Sequence, residues 1–99
     1  MTYRLTFLEH AKKEWEHLDQ GTREQFRKKL EERKISPRVL KDKLSGMKDC
    51  YKIKLRSVGY RLIYRVFDDR IVIQVVAIGK RDKGNAYEVA VFRLETEIE

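Results

Sequence analysis

Apolar and polar side chains alternate through TYRLTFL (residues 2–8), with Tyr3, Leu5 and Phe7 on one side. This two-residue period predicts a first strand. From Leu8 the spacing lengthens, and Leu8, Ala11, Trp15 and Leu18 fall three and four apart, as on one side of a helix. Gly21 is expected to break that helix. Thr22 and Gln25 have capping-box spacing and are expected to open a second helix running to about Lys34. Phe26 and Leu30 should face inward, with Arg23, Arg27, Lys28, Lys29 and Arg33 on the other faces. Ser36-Pro37 should end it, because proline disfavours helical geometry in the residue before it.

A basic connection over 38–48, holding Leu40 and Leu44, leads to three more expected strands at about 49–56, 60–67 and 71–78. Turns are expected at Ser57-Val58-Gly59 and Asp68-Asp69-Arg70. The nearly continuous apolar run IVIQVVAI (71–78) suits a central strand covered on both faces. Asn85 with Glu88 should begin a last helix whose stripe is Tyr87, Val91, Leu94 and Ile98. The order β-α-α-β-β-β-α predicts an α+β fold: a small four-stranded, mainly antiparallel sheet, an N-terminal α-hairpin packed on it, and a C-terminal helix. One domain is expected over residues 1–99.

The stretch YKIKLRSVGYRLIYRV (51–66) carries five cations and no acid. Pairing positions that sum to 117 (52 with 65, 54 with 63, 56 with 61) puts Lys52, Lys54, Arg56, Arg61 and Arg65 on one face. Tyr51, Ile53, Leu55, Leu62, Tyr64 and Val66 then lie on the other. An even sum would bury Arg61 and Arg65 among apolar side chains, which is prohibitive. The expected result is an open concave face of cations, joined by Lys80, Arg81 and Lys83 from beyond the central strand. Like charges facing each other across strands destabilise a sheet, and a merely solvated face usually mixes signs. A phosphate backbone fits such a face, and Tyr60, Tyr64 and Tyr87 offer stacking surfaces. Binding of RNA or DNA follows from this; cleavage does not.

Composition agrees. The chain has a net charge of +7 and a pI near 9.6, which favours an anionic partner. A hydrophobic fraction of 41% excludes disorder as the reason for the high charge. Cys50 is alone, so neither a disulfide framework nor a thiolate metal cluster is expected. No apolar run approaches the roughly 18 residues of a membrane span, and the N-terminus lacks a signal-peptide core. A cytoplasmic protein is expected, with no membrane partner.

GMKDCYKIKLRSVGYRLIYRVFDD (46–69), then VAIGKRDK (76–83) and Tyr87, closely resemble the RelE-like toxins of bacterial toxin–antitoxin pairs, in the RelE/ParE superfamily. The resemblance runs from residue 1 to about 94 and includes AKKEW, TREQFRKKL and SPR, which are mainly structural. It implies a toxin that cuts messenger RNA in the ribosomal A site, so the implied partner is the 70S ribosome, through its rRNA and A-site mRNA. A RelB-like antitoxin is also implied, and with it binding to operator DNA to repress the toxin's own operon. The family's active-site set falls on Lys52, Lys54, Arg61, Arg81 and Tyr87. One position departs. The family's best-known member has arginine just before the Gly-Met pair, where this chain has Ser45, and no contact of that arginine is carried over. The acidic tail ETEIE has no assigned role.

His10 and His17, on the first helix, are better read as solvent-facing than catalytic. No carboxylate pair or His/Asp/Glu cluster suggests a metal, and no cofactor is expected. The chemistry therefore falls to the cations. A lysine is a base only when neutral, and neighbouring cations lower its pKa. Lys54, with Lys52, is read as base or proton relay. Arg61 is read as a bidentate clamp on the phosphorus oxygens. Arg81 is placed by resemblance at the leaving oxygen, either donating a proton or only stabilising charge. Tyr87 fits a core stripe by pattern, whereas the resemblance makes it a residue that orients the scissile phosphate or packs on the nucleotide. Arg56, Arg65, Lys80 and Lys83 are weaker RNA contacts, and the basic second helix with Lys41, Lys43 and Lys48 could bind rRNA. The alternatives are a ParE-like poison of DNA gyrase and a non-catalytic nucleic-acid-binding module.

Overall fold

The computed structural model describes residues 2–80 and 86–96. The elements run β1 (Arg4–Phe7), α1 (Glu9–Glu16), α2 (Gln20–Ile35), a 3-10 turn (Leu40–Asp42), β2 (Cys50–Leu55), β3 (Tyr60–Phe67), β4 (Val72–Lys80) and α3 (Ala86–Thr96). The sheet order is β1-β4-β3-β2. β1 pairs with β4 in parallel, while β2-β3-β4 is an antiparallel meander. The α+β fold, the mainly antiparallel four-stranded sheet, the N-terminal helix pair and the C-terminal helix are as the sequence predicts.

Apolar periodicity builds the first core. Ala11, Phe26 and Leu30 of the helix pair, with Leu18 from the turn between them, pack on the sheet face carrying Tyr51, Ile53, Leu62, Tyr64 and Ile73. Tyr51 and Tyr64 are cross-strand partners with stacked rings 5.8 Å apart. The Tyr64 hydroxyl donates to the Pro37 carbonyl at 2.6 Å, so the chain leaving α2 is tied under the sheet. Phe26 has no exposed surface. Phe26→Ala should cost about 3–5 kcal/mol, read as a lower denaturant midpoint with unchanged slope.

Four expectations are corrected. Gly21 does not break the first helix; it lies in the first turn of α2, which begins at Gln20. The N-cap is Asp19, whose carboxylate accepts from the Thr22 N–H at 3.1 Å and the Thr22 hydroxyl at 2.7 Å. Those bonds, the hydroxyl's first, hold the Asp19 carboxyl below its ordinary range. A carboxylate cap three residues upstream outcompetes a hydroxyl, and N–H groups of the first turn have no intrahelical partner for glycine to disturb.

Arg33 is the second correction. It follows Phe26 by seven residues and Leu30 by three, which places it on the inward stripe, with only 11% of its side chain exposed. The third concerns register. β2 and β3 pair with a sum of 115, so that Lys54 faces Arg61, Lys52 faces Ile63 and Cys50 faces Arg65. The predicted faces survive because the parity is the same. The two-residue shift follows from the turn: Gly59 adopts φ +70 and donates to the Leu55 carbonyl at 2.9 Å, closing the loop over Arg56–Gly59.

Fourth, the cationic face is not open throughout. Ile63, on that face between Arg61 and Arg65, joins Cys50, Val76 and Ala77 in a second core beneath Ala86 and Ala90 of α3. The β3–β4 register shifts between Ile63 and Tyr64, leaving Val76 as an extra residue, so Val76 and Ala77 both enter that core. On α3, Val91 is 38% exposed, unlike the core stripe expected of it. Asn85 and Ile98, also expected in this helix, lie outside the described residues.

Candidate active site and nucleic-acid interface

With α3 seated over Ile63, the cations of the face divide. Lys52 and Lys54 stand two apart on β2, and Arg61 stands opposite Lys54 on β3. The Lys52 carbonyl points away from β3, to Arg33. By alternation Lys54–Arg61 is then one of the narrow, non-hydrogen-bonded pairs, whose side chains approach most closely. Tyr87, in the first turn of α3, comes from the third side. The Arg61 guanidinium lies 5.2 Å from the centre of the Tyr87 ring, within cation–π range. Lys52, Lys54, Arg61 and Tyr87 are thus gathered at the end of the face that α3 leaves uncovered. Arg56 joins Lys54 and Arg61 in lining a hollow of about 160 Å³ at the hairpin tip.

The weaker candidates do not all join them. Arg65 lies four residues from Arg61 along β3, about 13 Å at strand rise, on the far side of Ile63. Its guanidinium sits 4.8 Å from the Phe67 ring centre, and its buried Nε has no hydrogen-bond partner among the described residues. Lys80 pairs with Tyr60 and lies over that ring at 5.8 Å, on the sheet face opposite Arg61. Arg81 and Lys83 lie outside the described residues. His10 and His17 are exposed on and just beyond α1.

Electrostatics single out Lys54. Its ammonium is held below the ordinary lysine range, first by Lys52, then by partial desolvation, then by Arg61 and Arg56, with Asp42 opposing. If neutral Lys54 is the base, cleavage should accelerate with rising pH and level off below the pH an ordinary lysine would require. Lys52→Gln removes the largest lowering influence and should move that rise to higher pH. Asp42→Asn removes the opposing carboxylate and should move it lower. Single-turnover rates across pH would read both shifts.

Sequence reasoning missed the residues behind β2. Arg33 donates to the Lys52 carbonyl at 3.2 Å, to the Tyr64 hydroxyl at 2.8 Å and to Asp42 at 2.7 Å. It therefore fixes the backbone of the edge strand that carries both lysines. The signal was its place on the Phe26–Leu30 stripe. Also unforeseen is a groove of about 670 Å³ between α3 and the 43–47 loop, lined by Leu44, Ser45, Met47, Lys52, Tyr87 and Phe92 among others. Among the described residues, no group of three or more His, Cys, Asp or Glu side chains could hold a metal ion. No described helix is long and apolar enough to cross a membrane.

Residues 5–84 match the family model of the ParE toxin of type II toxin–antitoxin systems. The chain belongs to the RelE/ParE family of type II toxins. Within the family it is similar to the mRNA interferase toxin RelE of Escherichia coli K12, with 52% identity over 94 residues, covering 95% of this chain and 99% of the relative. A mutant E. coli RelE toxin in the free state superimposes with a TM-score of 0.87 at 51% identity, covering 95% of this chain and 99% of that one. The toxin from the intact E. coli RelBE toxin–antitoxin complex does so with a TM-score of 0.79 at 53% identity, covering 82% and 99% respectively.

Proposed function

We propose that this chain, acting as one domain over residues 1–99, is the toxin of a type II toxin–antitoxin system. Its activity is that of a ribosome-dependent endoribonuclease that cuts messenger RNA in the A site and so stops translation. Similarity over nearly the whole chain to an mRNA interferase supports the RNA-cleaving branch over a gyrase poison. The observation that carries the mechanism is the opposed Lys54–Arg61 pair with Tyr87 against the guanidinium. Lys52 beside it and Arg61 opposite lower the Lys54 pKa, which a base needs and a binding surface does not require.

Neutral Lys54, assisted by Lys52, takes the proton of the ribose 2′-hydroxyl. The 2′-oxygen attacks phosphorus in line, while the Arg61 fork holds the non-bridging oxygens as their charge grows. Tyr87 packs on the nucleotide or steadies the phosphate. The bond to the 5′-oxygen breaks, and that oxygen leaves with a proton, which the family resemblance assigns to Arg81. The products are a 2′,3′-cyclic phosphate and a 5′-hydroxyl, and the chemical step uses no metal. The basic surface of α2, with Lys41, Lys43 and Lys48, suits rRNA.

The toxin works in the cytoplasm, where its substrate is. A RelB-like antitoxin masks it, as the complexes of related RelE chains with RelB support, and the pair binds operator DNA. With a net charge of +7 on the toxin, an acidic antitoxin segment should associate fast and with a steep salt dependence. Saturating antitoxin should abolish cleavage, and full activity in the complex would contradict the masking.

The direct test incubates the purified chain with mRNA-programmed ribosomes and analyses the cut ends. Cutting within the A-site codon with a 2′,3′-cyclic phosphate supports the reading. Cut RNA with 3′-hydroxyl ends, which attack by a 2′-hydroxyl does not leave, would overturn the lysine-base mechanism.

A further inference from the structure

Tyr87 reaches Arg61 from α3, where Tyr87, Val89 and Leu94 pack only partly buried against the second core. Within the helix only Ala86 and Ala90 are buried, and Phe92 is 65% exposed. Alanines interlock weakly, so they do not by themselves fix how the helix is rolled or slid along the sheet. A polar attachment supplements this packing. Arg93 donates from Nη1 and Nη2 to the two carboxylate oxygens of Glu14 on α1, each at 2.9 Å. Nη1 also donates to the Val76 carbonyl at 2.8 Å, and Glu14 Oε1 also accepts from the Ile78 N–H at 3.1 Å.

Those two backbone groups need side-chain partners for a topological reason. β1 pairs with β4 only from Val72 to Val75. Beyond Val75, among the described residues, no strand lies along that edge of β4. Glu14 and Arg93 complete the edge at the bulge and join α1, β4 and α3 at one point. Only 14% of the Arg93 side chain is exposed, and 32% of Glu14, so water competes little with the fork.

We infer that Glu14 and Arg93 are positioning residues for cleavage: their ion pair sets the seat of α3 and thereby holds the Tyr87 ring against Arg61. This rests on the reading of Arg61 and Tyr87 as site residues. Arg93 lies six positions after Tyr87 on the helix, about 9 Å of rigid rod, so a shift at the fork is carried to the ring. A displacement near 1 Å far from the chemistry can cost on the order of 10²-fold in rate.

The test uses the full chain with Glu14→Gln and Arg93→Lys, and Tyr87→Ala as reference. Gln keeps an acceptor for the Ile78 N–H but loses the charge-assisted fork; Lys keeps the charge but cannot make two parallel bonds. The structural readout is the Arg61 Nε–H resonance, which the nearby ring shifts. In Glu14→Gln it should move towards its position in Tyr87→Ala, and in Arg93→Lys part of the way. Single-turnover cleavage of ribosome-held messenger should fall about 10–10²-fold in Glu14→Gln, with KM unchanged. An Arg61 resonance unmoved in both variants overturns the inference. So does a moved resonance with wild-type cleavage, when Tyr87→Ala is slow. If Tyr87→Ala itself cleaves at the wild-type rate, the reading of Tyr87 as a site residue fails, and with it the link to catalysis. The Arg61 resonance then still decides whether the pair seats the helix.

Discussion

Lys54→Met should slow single-turnover cleavage of ribosome-held messenger by about 10²–10⁴-fold, the usual cost of losing a positioned general base. The substitution removes one charge from a face that keeps Lys52, Arg56 and Arg61, so binding to the ribosome should weaken only slightly. The fold should survive, because Lys54 is exposed on the edge strand and its neighbours Ile53 and Leu55 supply the buried contacts. The loss should therefore sit in kcat, not KM. Lys54→Arg is the sharper variant. It keeps the charge and the reach, but guanidinium stays protonated, so it should be as slow as Lys54→Met. A fast Lys54→Arg enzyme would show that Lys54 supplies charge alone.

Arg61→Lys should cost on the order of 10²–10³-fold, as expected for one contact that stabilises transition-state charge. The net charge is unchanged, so a count of cations predicts no effect. Lysine cannot present the planar fork that meets two phosphorus oxygens together, and it packs less well on a tyrosine ring than guanidinium does. It would also place a second ammonium directly opposite Lys54. Wild-type single-turnover rates for Arg61→Lys would remove Arg61 from the site.

Much of the site was legible because a strand's period of two is rigid. Once Tyr51, Ile53 and Leu55 must face a core, Lys52 and Lys54 have to face away, whatever the register. The register itself was not legible, since Gly59 could close the turn at either of two positions and parity does not distinguish them. Ile63 was the overlooked signal that the cationic face is partly covered. It is the one apolar residue between Arg61 and Arg65 on that side, and such a residue needs a partner. Ala86 and Ala90, four apart, are that partner. Arg33 and Glu14 were hidden because charged residues on helices usually face solvent; the Phe26–Leu30 stripe marked Arg33, whereas only contacts with Arg93 and the Ile78 N–H reveal Glu14. Tyr87 was placed by resemblance, since its helical pattern alone suits a core residue. Arg81 and Lys83 lie outside the described residues, so their part in the site rests on that resemblance.

This face should cut RNA only when the ribosome holds the codon in line. A surface of Lys and Arg grips any phosphate backbone, but transesterification needs the 2′-oxygen, phosphorus and 5′-oxygen aligned. The hollow beside Lys54 and Arg61 is only about 160 Å³, and the groove of about 670 Å³ lined by Lys52 and Tyr87 lies open along α3 and does not close over a nucleotide. The decisive measurement compares one messenger, free in solution and displayed in a 70S ribosome with an empty A site, at equal concentrations of the purified chain. Cleavage is expected within the A-site codon of the ribosome-held RNA, with none of the free RNA over the same time. Equal cutting of both would contradict ribosome dependence. No cutting of either, with DNA gyrase inhibited instead, would return the chain to the ParE-like branch of its family.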